Sequence, residues 1–154
     1  MRKSVKVAVE AHKRAMKVTR PGLYEYQVEA EFGHEFRQND AWASYSPIVG
    51  GGKNACILHY VENNSVLKDG DLLLIDAGCE LDYYASDITR TFPVNGRFSP
   101  EQRALYEVVL EAQRAAIEKT VVGNHWNEPH DAAVLAITKG LRKLGLLEDR
   151  KSVV

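Results

Sequence analysis

The segment from Leu72 to Val94 constrains this chain more than any other, because it sets two aspartates, Asp76 in LLLIDAG and Asp87 in ASDITRTFPV, inside runs that otherwise read as β-strands. Aspartate is depleted from strands. An antiparallel hairpin centred on Leu81 and Asp82 brings residue 76 directly opposite residue 87, so that the two side chains share one face. Like charges facing each other across a ladder destabilise it, and a carboxylate buried without a partner is more costly still. Taken singly, each aspartate reads as a turn, cap or solvated strand end. As a pair they read as the grip on a cation, and they predict a metal site.

The surrounding pattern places this hairpin in an α+β chain. Residues 3 to 19 carry Val5, Ala8, Val9, Ala15 and Met16 at mostly helical spacing, and Pro21-Gly22 stops the run. A second helix is expected from Leu23 to about Arg37, with Tyr24, Val28, Glu31, Phe32 and Phe36 recurring at threes and fours despite Gly33. WASYSPIV and NACILHYV read as two strands joined by the loop Gly50-Gly51-Gly52-Lys53. Asp69-Gly70 and Asn95-Gly96 read as turns on either side of the hairpin. Ser99-Pro100-Glu101-Gln102 has the hydroxyl, proline and glutamine of a capping box, so a third helix opens at 100 and runs to about Lys119. Its inner stripe is Ala104, Val108, Ala112 and Ala116. A fourth helix is expected from about Pro129 to Leu144, facing inward through Ala133, Ile137, Leu141 and Leu144, with Gly140 as a close-packing point; the tail EDRKSVV reads as unstructured. Helices, then strands, then helices is not the alternation of βαβ units.

The 154 residues, 45% of them hydrophobic, suit one core and one domain. A formal net charge of -1 with both signs interspersed lacks the footprint of a nucleic-acid binder. No run approaches a membrane span, and the charged N-terminus is unlike a signal peptide, so a cytoplasmic protein is expected. Cys56 and Cys79 are read as buried packing thiols.

Several other residues carry potential chemistry. The glycines before Lys53 do not meet the P-loop spacing, since Asn54 stands at the Ser/Thr position. His59, at the end of ILHY, reads alone as a structural histidine, although an imidazole there could exchange a proton with a substrate group. His125, Glu128 and His130 in NHWNEPHD match no metal-ligand spacing and read as capping and solvated residues.

SPIVGGGKNACILHYVENN followed by LKDGDLLLIDAGCELDYYASDITRTFPVNGRFSPEQRALYEVVLEAQ resembles the Xaa-Pro aminopeptidase (aminopeptidase P) branch of the pita-bread metallopeptidases, from about residue 3 to about residue 147. The resemblance implies half of a pita-bread fold, an antiparallel sheet covered by helices, comprising the first half of the catalytic domain and the opening helix pair of the second. It implies hydrolysis of the bond preceding proline in peptides with proline at the second position, with two divalent ions, Mn²⁺ foremost. Asp76 would grip one ion and Asp87 bridge both, while His59 would position substrate or shuttle a proton. The family's other three ligands, a histidine and two glutamates, come from sheet that follows the fourth helix and match nothing in these residues. Weak or no activity is therefore expected of the chain alone. A half sheet exposes an edge and an apolar face, so pairing of two copies about a twofold into a homodimer is expected. The alternative is a non-catalytic module that binds peptides or proteins.

Overall fold

The computed structural model describes residues 1–148; the expectation for the tail beyond Glu148 lies outside the described residues. The chain divides into two compact units, residues 1–97 and the remainder from Phe98.

In the first unit, helices α1 (Arg2–Val18) and α2 (Glu25–Gln38) precede strands β1 (Trp42–Ala43) and β2 (Ile48–Gly51), a 3₁₀ turn (Gly52–Cys56), and strands β3 (Leu72–Asp76), β4 (Cys79–Leu81), β5 (Tyr84–Ala85) and β6 (Thr89–Pro93). Two antiparallel three-stranded sheets result, ordered β2-β3-β6 and β1-β4-β5. The buried core joins Ala8, Ala11 and Ala15 of α1, Val28, Phe32 and Phe36 of α2, Val49, Leu73, Ile75 and Cys79 of the sheets, and Ala77 between β3 and β4. Each large apolar side chain buried here stabilises by about 1.5–3 kcal/mol before ordering entropy is set against it.

Helix α1 turns a different face inward from the one its bulkier residues suggest. Val5 and Met16 are exposed, while Ala8, Ala11 and Ala15 are buried with Ser4 and His12. Small side chains let the helix axis approach β4 closely enough for the Cys79 thiol to reach the Ser4 carbonyl at 3.2 Å. An Arg14–Glu31 ion pair ties α1 to α2. Pro21-Gly22 ends the helical run, with Gly22 at φ 90° and its amide donating to the Leu67 carbonyl at 2.9 Å.

The second expected strand of the middle region does not form. NACILHYV instead lies across the 3₁₀ turn and the bend after it, with Ile57 and Leu58 exposed and the Asn54 side chain buried. Gly52, at φ +56° and with no room for a Cβ beside the Asp71 carboxylate, turns the chain away from the sheet before these β-prone residues can pair. Cys56, at the end of that turn, is exposed; Cys79 is buried.

The β3–β6 segment is one long ribbon with a constant register, Leu72 opposite Pro93 at one end and Leu81 opposite Tyr84 at the other. Its turn is Asp82-Tyr83, both left-handed at φ 54° and 66°, as a two-residue hairpin loop requires. The centre is thus one residue later than the Leu81-Asp82 expected. Asp76 faces Thr89 rather than Asp87.

In the second unit, helix α3 (Pro100–Lys119) opens on the expected capping box: Gln102 N donates to Ser99 Oγ at 3.2 Å and Ser99 N to Gln102 Oε1 at 3.0 Å. It packs against helix α4 (Glu128–Lys143). Gly140 is the close-packing point, since a Cβ there would lie 2.4 Å from Val108 Cγ1. Ala112 alone is fully buried in α3, and α4 contributes no fully buried residue, so Ile137 and Leu144 are more exposed than their inward spacing suggests.

Candidate metal centre

The ribbon is irregular where it passes from one sheet to the other, between Asp76 and Cys79 on one arm and Ser86 and Ile88 on the other. Gly78 sits at this crossing against the Ser86 carbonyl, too close for any Cβ. Ala77 N donates to the Ile88 carbonyl at 3.1 Å, and the Ser86 hydroxyl bonds back to Cys79 through both its amide and its carbonyl. The backbone is therefore fixed on both sides of the aspartates by bonds that leave their side chains free.

Asp76 and Asp87 meet all the same. A register offset of two residues keeps a side chain on its face, because the strand period is two, and diagonal neighbours remain within reach of long side chains. The meeting point is the hydroxyl of Tyr45, which lies 2.5 Å from Asp76 Oδ1 and 2.9 Å from Asp87 Oδ1. Tyr45 follows β1 in a loop pinned to the crossing, since Ser44 N donates to the Gly78 carbonyl at 3.0 Å and Ser44 Oγ to the Ser86 carbonyl at 2.8 Å. Partial burial first, then hydrogen bonding to the two aspartates and their charge, hold the Tyr45 phenol far above its ordinary value. It stays a proton donor. One phenolic proton serves two carboxylates, and neither carboxylate forms an ion pair among the described residues.

Beneath the crossing lies His12, 4% exposed, with Nε2 at 3.1 Å from the Ala77 carbonyl and its ring edge-on to Phe32 at 4.9 Å. A carbonyl only accepts, so Nε2 carries the proton; Nδ1 is buried without a partner. Burial depresses the His12 pKa, which keeps the ring neutral. The histidine holds the backbone next to Asp76 from the core side.

His59 stands elsewhere, on the exposed turn after the 3₁₀ segment at φ 55°. It forms no hydrogen bond with either aspartate, nor with any other described residue. His125, Glu128 and His130 lie in the second unit, where His125 N donates to Glu128 Oε1 at 3.0 Å just ahead of α4, whose N-cap Asn127 makes no side-chain capping bond. Tyr45 was not legible as a site residue: SYS within a β-prone run carries no spacing that points to a carboxylate pair.

The donors gathered at the crossing are all oxygens, two of them carboxylates, and among the described residues neither carboxylate is paired with a cation; this fits a hard divalent ion of the Mn²⁺ or Mg²⁺ kind. The fit is partial, because no group of three or more His, Cys, Asp or Glu among the described residues is arranged to hold an ion. The sequence matches the pattern of metallopeptidase family M24 over residues 1–151.

The chain belongs to metallopeptidase family M24. Among M24 relatives, it is 51% identical to the Xaa-Pro aminopeptidase of Haemophilus influenzae and 47% identical to that of Escherichia coli, over 96% of this chain in each case. It spans 35% and 34% of those two proteins, about a third of their length. The M24 fold seen here matches Pseudomonas aeruginosa aminopeptidase PepP with a TM-score of 0.95 at 62% identity, and zinc-substituted E. coli aminopeptidase P in complex with product with a TM-score of 0.93 at 47% identity, covering 96% of this chain and 34% of each of those chains. The mixed helix and antiparallel sheet is thus the aminopeptidase P pita-bread fold, represented over about a third of those chains. No helix among the described residues is long and apolar enough to cross a membrane.

Proposed function

We propose that this chain carries the aspartate-bearing part of a dinuclear-metal Xaa-Pro aminopeptidase, which hydrolyses the peptide bond preceding a proline at the second position. The observation that carries this reading is the convergence of Asp76 and Asp87 on the single hydroxyl of Tyr45. A purely structural role does not explain two carboxylates sharing one proton with no ion-pair partner among the described residues. Asp76 would hold one ion and Asp87 bridge two, with Mn²⁺ the preferred metal. When bound, such ions polarise the carbonyl under attack and acidify water.

The chain's own residues have separable tasks in this reading. Tyr45 keeps the two carboxylates aimed at a common point, and His12 with the Ala77–Ile88 bond keeps their backbone in register. His59 hydrogen-bonds the substrate near the scissile bond or passes a proton there, and its exposure leaves it accessible to a peptide. Waters fill much of the shell of such an ion, but two carboxylates alone hold it weakly, so weak activity or none is proposed for these residues by themselves. Exposed Trp42 and Tyr84 on the outer strands of the β1-β4-β5 sheet support pairing of two copies. Exposed free thiol at Cys56 suits a reducing, cytoplasmic setting.

The test is Mn²⁺ binding by calorimetry, together with hydrolysis of an Xaa-Pro peptide, in the native chain and in Asp87→Asn. Binding that weakens at least about tenfold in the variant, a change of 1.4 kcal/mol, supports the reading. Equal binding in the two proteins refutes it. A chain that takes up no Mn²⁺ yet binds proline peptides is instead the non-catalytic module.

A further inference from the structure

The loop that carries His59 is anchored on its return arm by buried Asn63, which accepts from Val49 N at 2.9 Å and donates to the Pro47 carbonyl at 2.9 Å and to Glu29 Oε2 at 2.8 Å, but one buried carboxylate joins its two arms. Glu25, the first residue of α2, is 0% exposed and accepts from both arms of the loop: Oε1 from Gly51 N at 2.8 Å and Asn54 Nδ2 at 3.0 Å on the way out, Oε2 from Tyr60 Oη at 2.7 Å and Ser65 N at 2.9 Å on the way back. Asn54 Nδ2 also lies 3.0 Å from both Tyr60 Oη and Ser65 Oγ, closing the network across the loop's base. Every one of these donors is neutral. A charge buried without a counter-ion is an expensive way to shape a loop that has no further task, and the N-terminal end of α2 offsets only part of that. Between the two arms, the tip carries Ile57, Leu58 and His59, all exposed, Leu58 at 90%. His59 itself is left-handed at φ 55°, a conformation uncommon for a non-glycine residue, although histidine is among those that adopt it more readily.

We propose that Glu25 is the positioning residue for His59: its carboxylate staples the entry and exit of the 51–65 loop and so sets where the imidazole stands for substrate. The proposal rests on the reading of His59 as a substrate contact. Glu25 touches no substrate and acts through the loop. Replacing one of its oxygens with an amide nitrogen turns an acceptor for two donors into a donor facing them, which opens one arm.

The experiment titrates alanyl-prolyl-leucine into the full chain with diamagnetic Mg²⁺ present, following the His59 imidazole resonances by NMR, in the native chain, Glu25→Gln, Tyr60→Phe, His59→Ala and the two double variants with His59→Ala. The expected result is an affinity loss of about tenfold in Glu25→Gln and His59→Ala, a smaller loss in Tyr60→Phe, shifted His59 resonances in both staple variants, and no further loss in the doubles. Tyr60→Phe removes one bond of four and carries the test if Glu25→Gln does not fold. Losses that add in the double variants, or staple variants that bind peptide as the native chain does while His59→Ala does not, overturn the proposal alone. Unchanged affinity in His59→Ala overturns the underlying reading of His59, and the proposal with it.

Discussion

Tyr45 decides how close Asp76 and Asp87 stand, because among the described residues its hydroxyl is the one group that bonds both. In Tyr45→Phe the carboxylates lose that shared donor. The chain should lose about 1 kcal/mol at neutral pH, less than is usual for hydrogen bonds to charged groups because Asp87 is exposed. Added Mn²⁺ should return part of the loss, and urea unfolding with and without the ion measures both. His12 makes a separate prediction. Burial lowers its pKa in the fold below the ordinary 6.5, so the unfolded chain takes up the proton first as pH falls. Its contribution to stability is complete above pH 6.5 and declines below it. His12→Gln keeps a donor for the Ala77 carbonyl and should flatten that part of the stability profile between about pH 7 and pH 5; a profile that keeps its full slope in the variant refutes the assignment.

At the scale of elements, the hairpin shows which features of a strand survive an error of register. Asp82-Tyr83 has none of the Asn-Gly or Asp-Gly chemistry that marks a two-residue turn, so the centre of the ribbon was not readable from its residues. Both aspartates nevertheless stayed on one face, since a slip of two preserves the side and only a slip of one reverses it. The helix pair tests a different balance. Gly140→Ala gains about 0.5–1 kcal/mol of helix propensity, but the new methyl meets Val108 at 2.4 Å and 2.6 Å. Val108 is β-branched and stiff, so α3 and α4 must separate, and overpacking of this kind costs about 1–3 kcal/mol. Net destabilisation is expected, and Val108→Ala introduced with Gly140→Ala should cost less than the sum of the two single changes in thermal or urea unfolding.

The two units differ in what holds them. Every residue of the buried core cluster lies between Ala8 and Val94, in the first unit, whereas Ala112 is the one fully buried apolar residue of α3 and α4. Local stability follows buried apolar contact. Amide hydrogen exchange should therefore find the β3 and α2 amides protected near the global limit and those of α3 and α4 exchanging well before them; equal protection across both units would contradict this. The candidate metal centre sits wholly in the better-packed unit, as a site that must hold two like charges together requires.

What the residues determined unaided was local or periodic: the limits of four helices, the Ser99 capping box, the Gly140 contact, the β-character of LLLIDAG and ITRTFPV, and a shared face for Asp76 and Asp87. Such features depend on neighbours in sequence or on a period of two or 3.6 residues, and the chain carries that information itself. Tertiary structure alone decided that NACILHYV would bend rather than pair, that α1 would bury alanines instead of Val5 and Met16, and that Tyr45 and Glu25 would each gather groups from distant segments. Those outcomes turn on close approach and on hydrogen bonds spanning 25 or more residues, from Glu25 to Gly51 and from Tyr45 to Asp87, and no spacing along the chain encodes them.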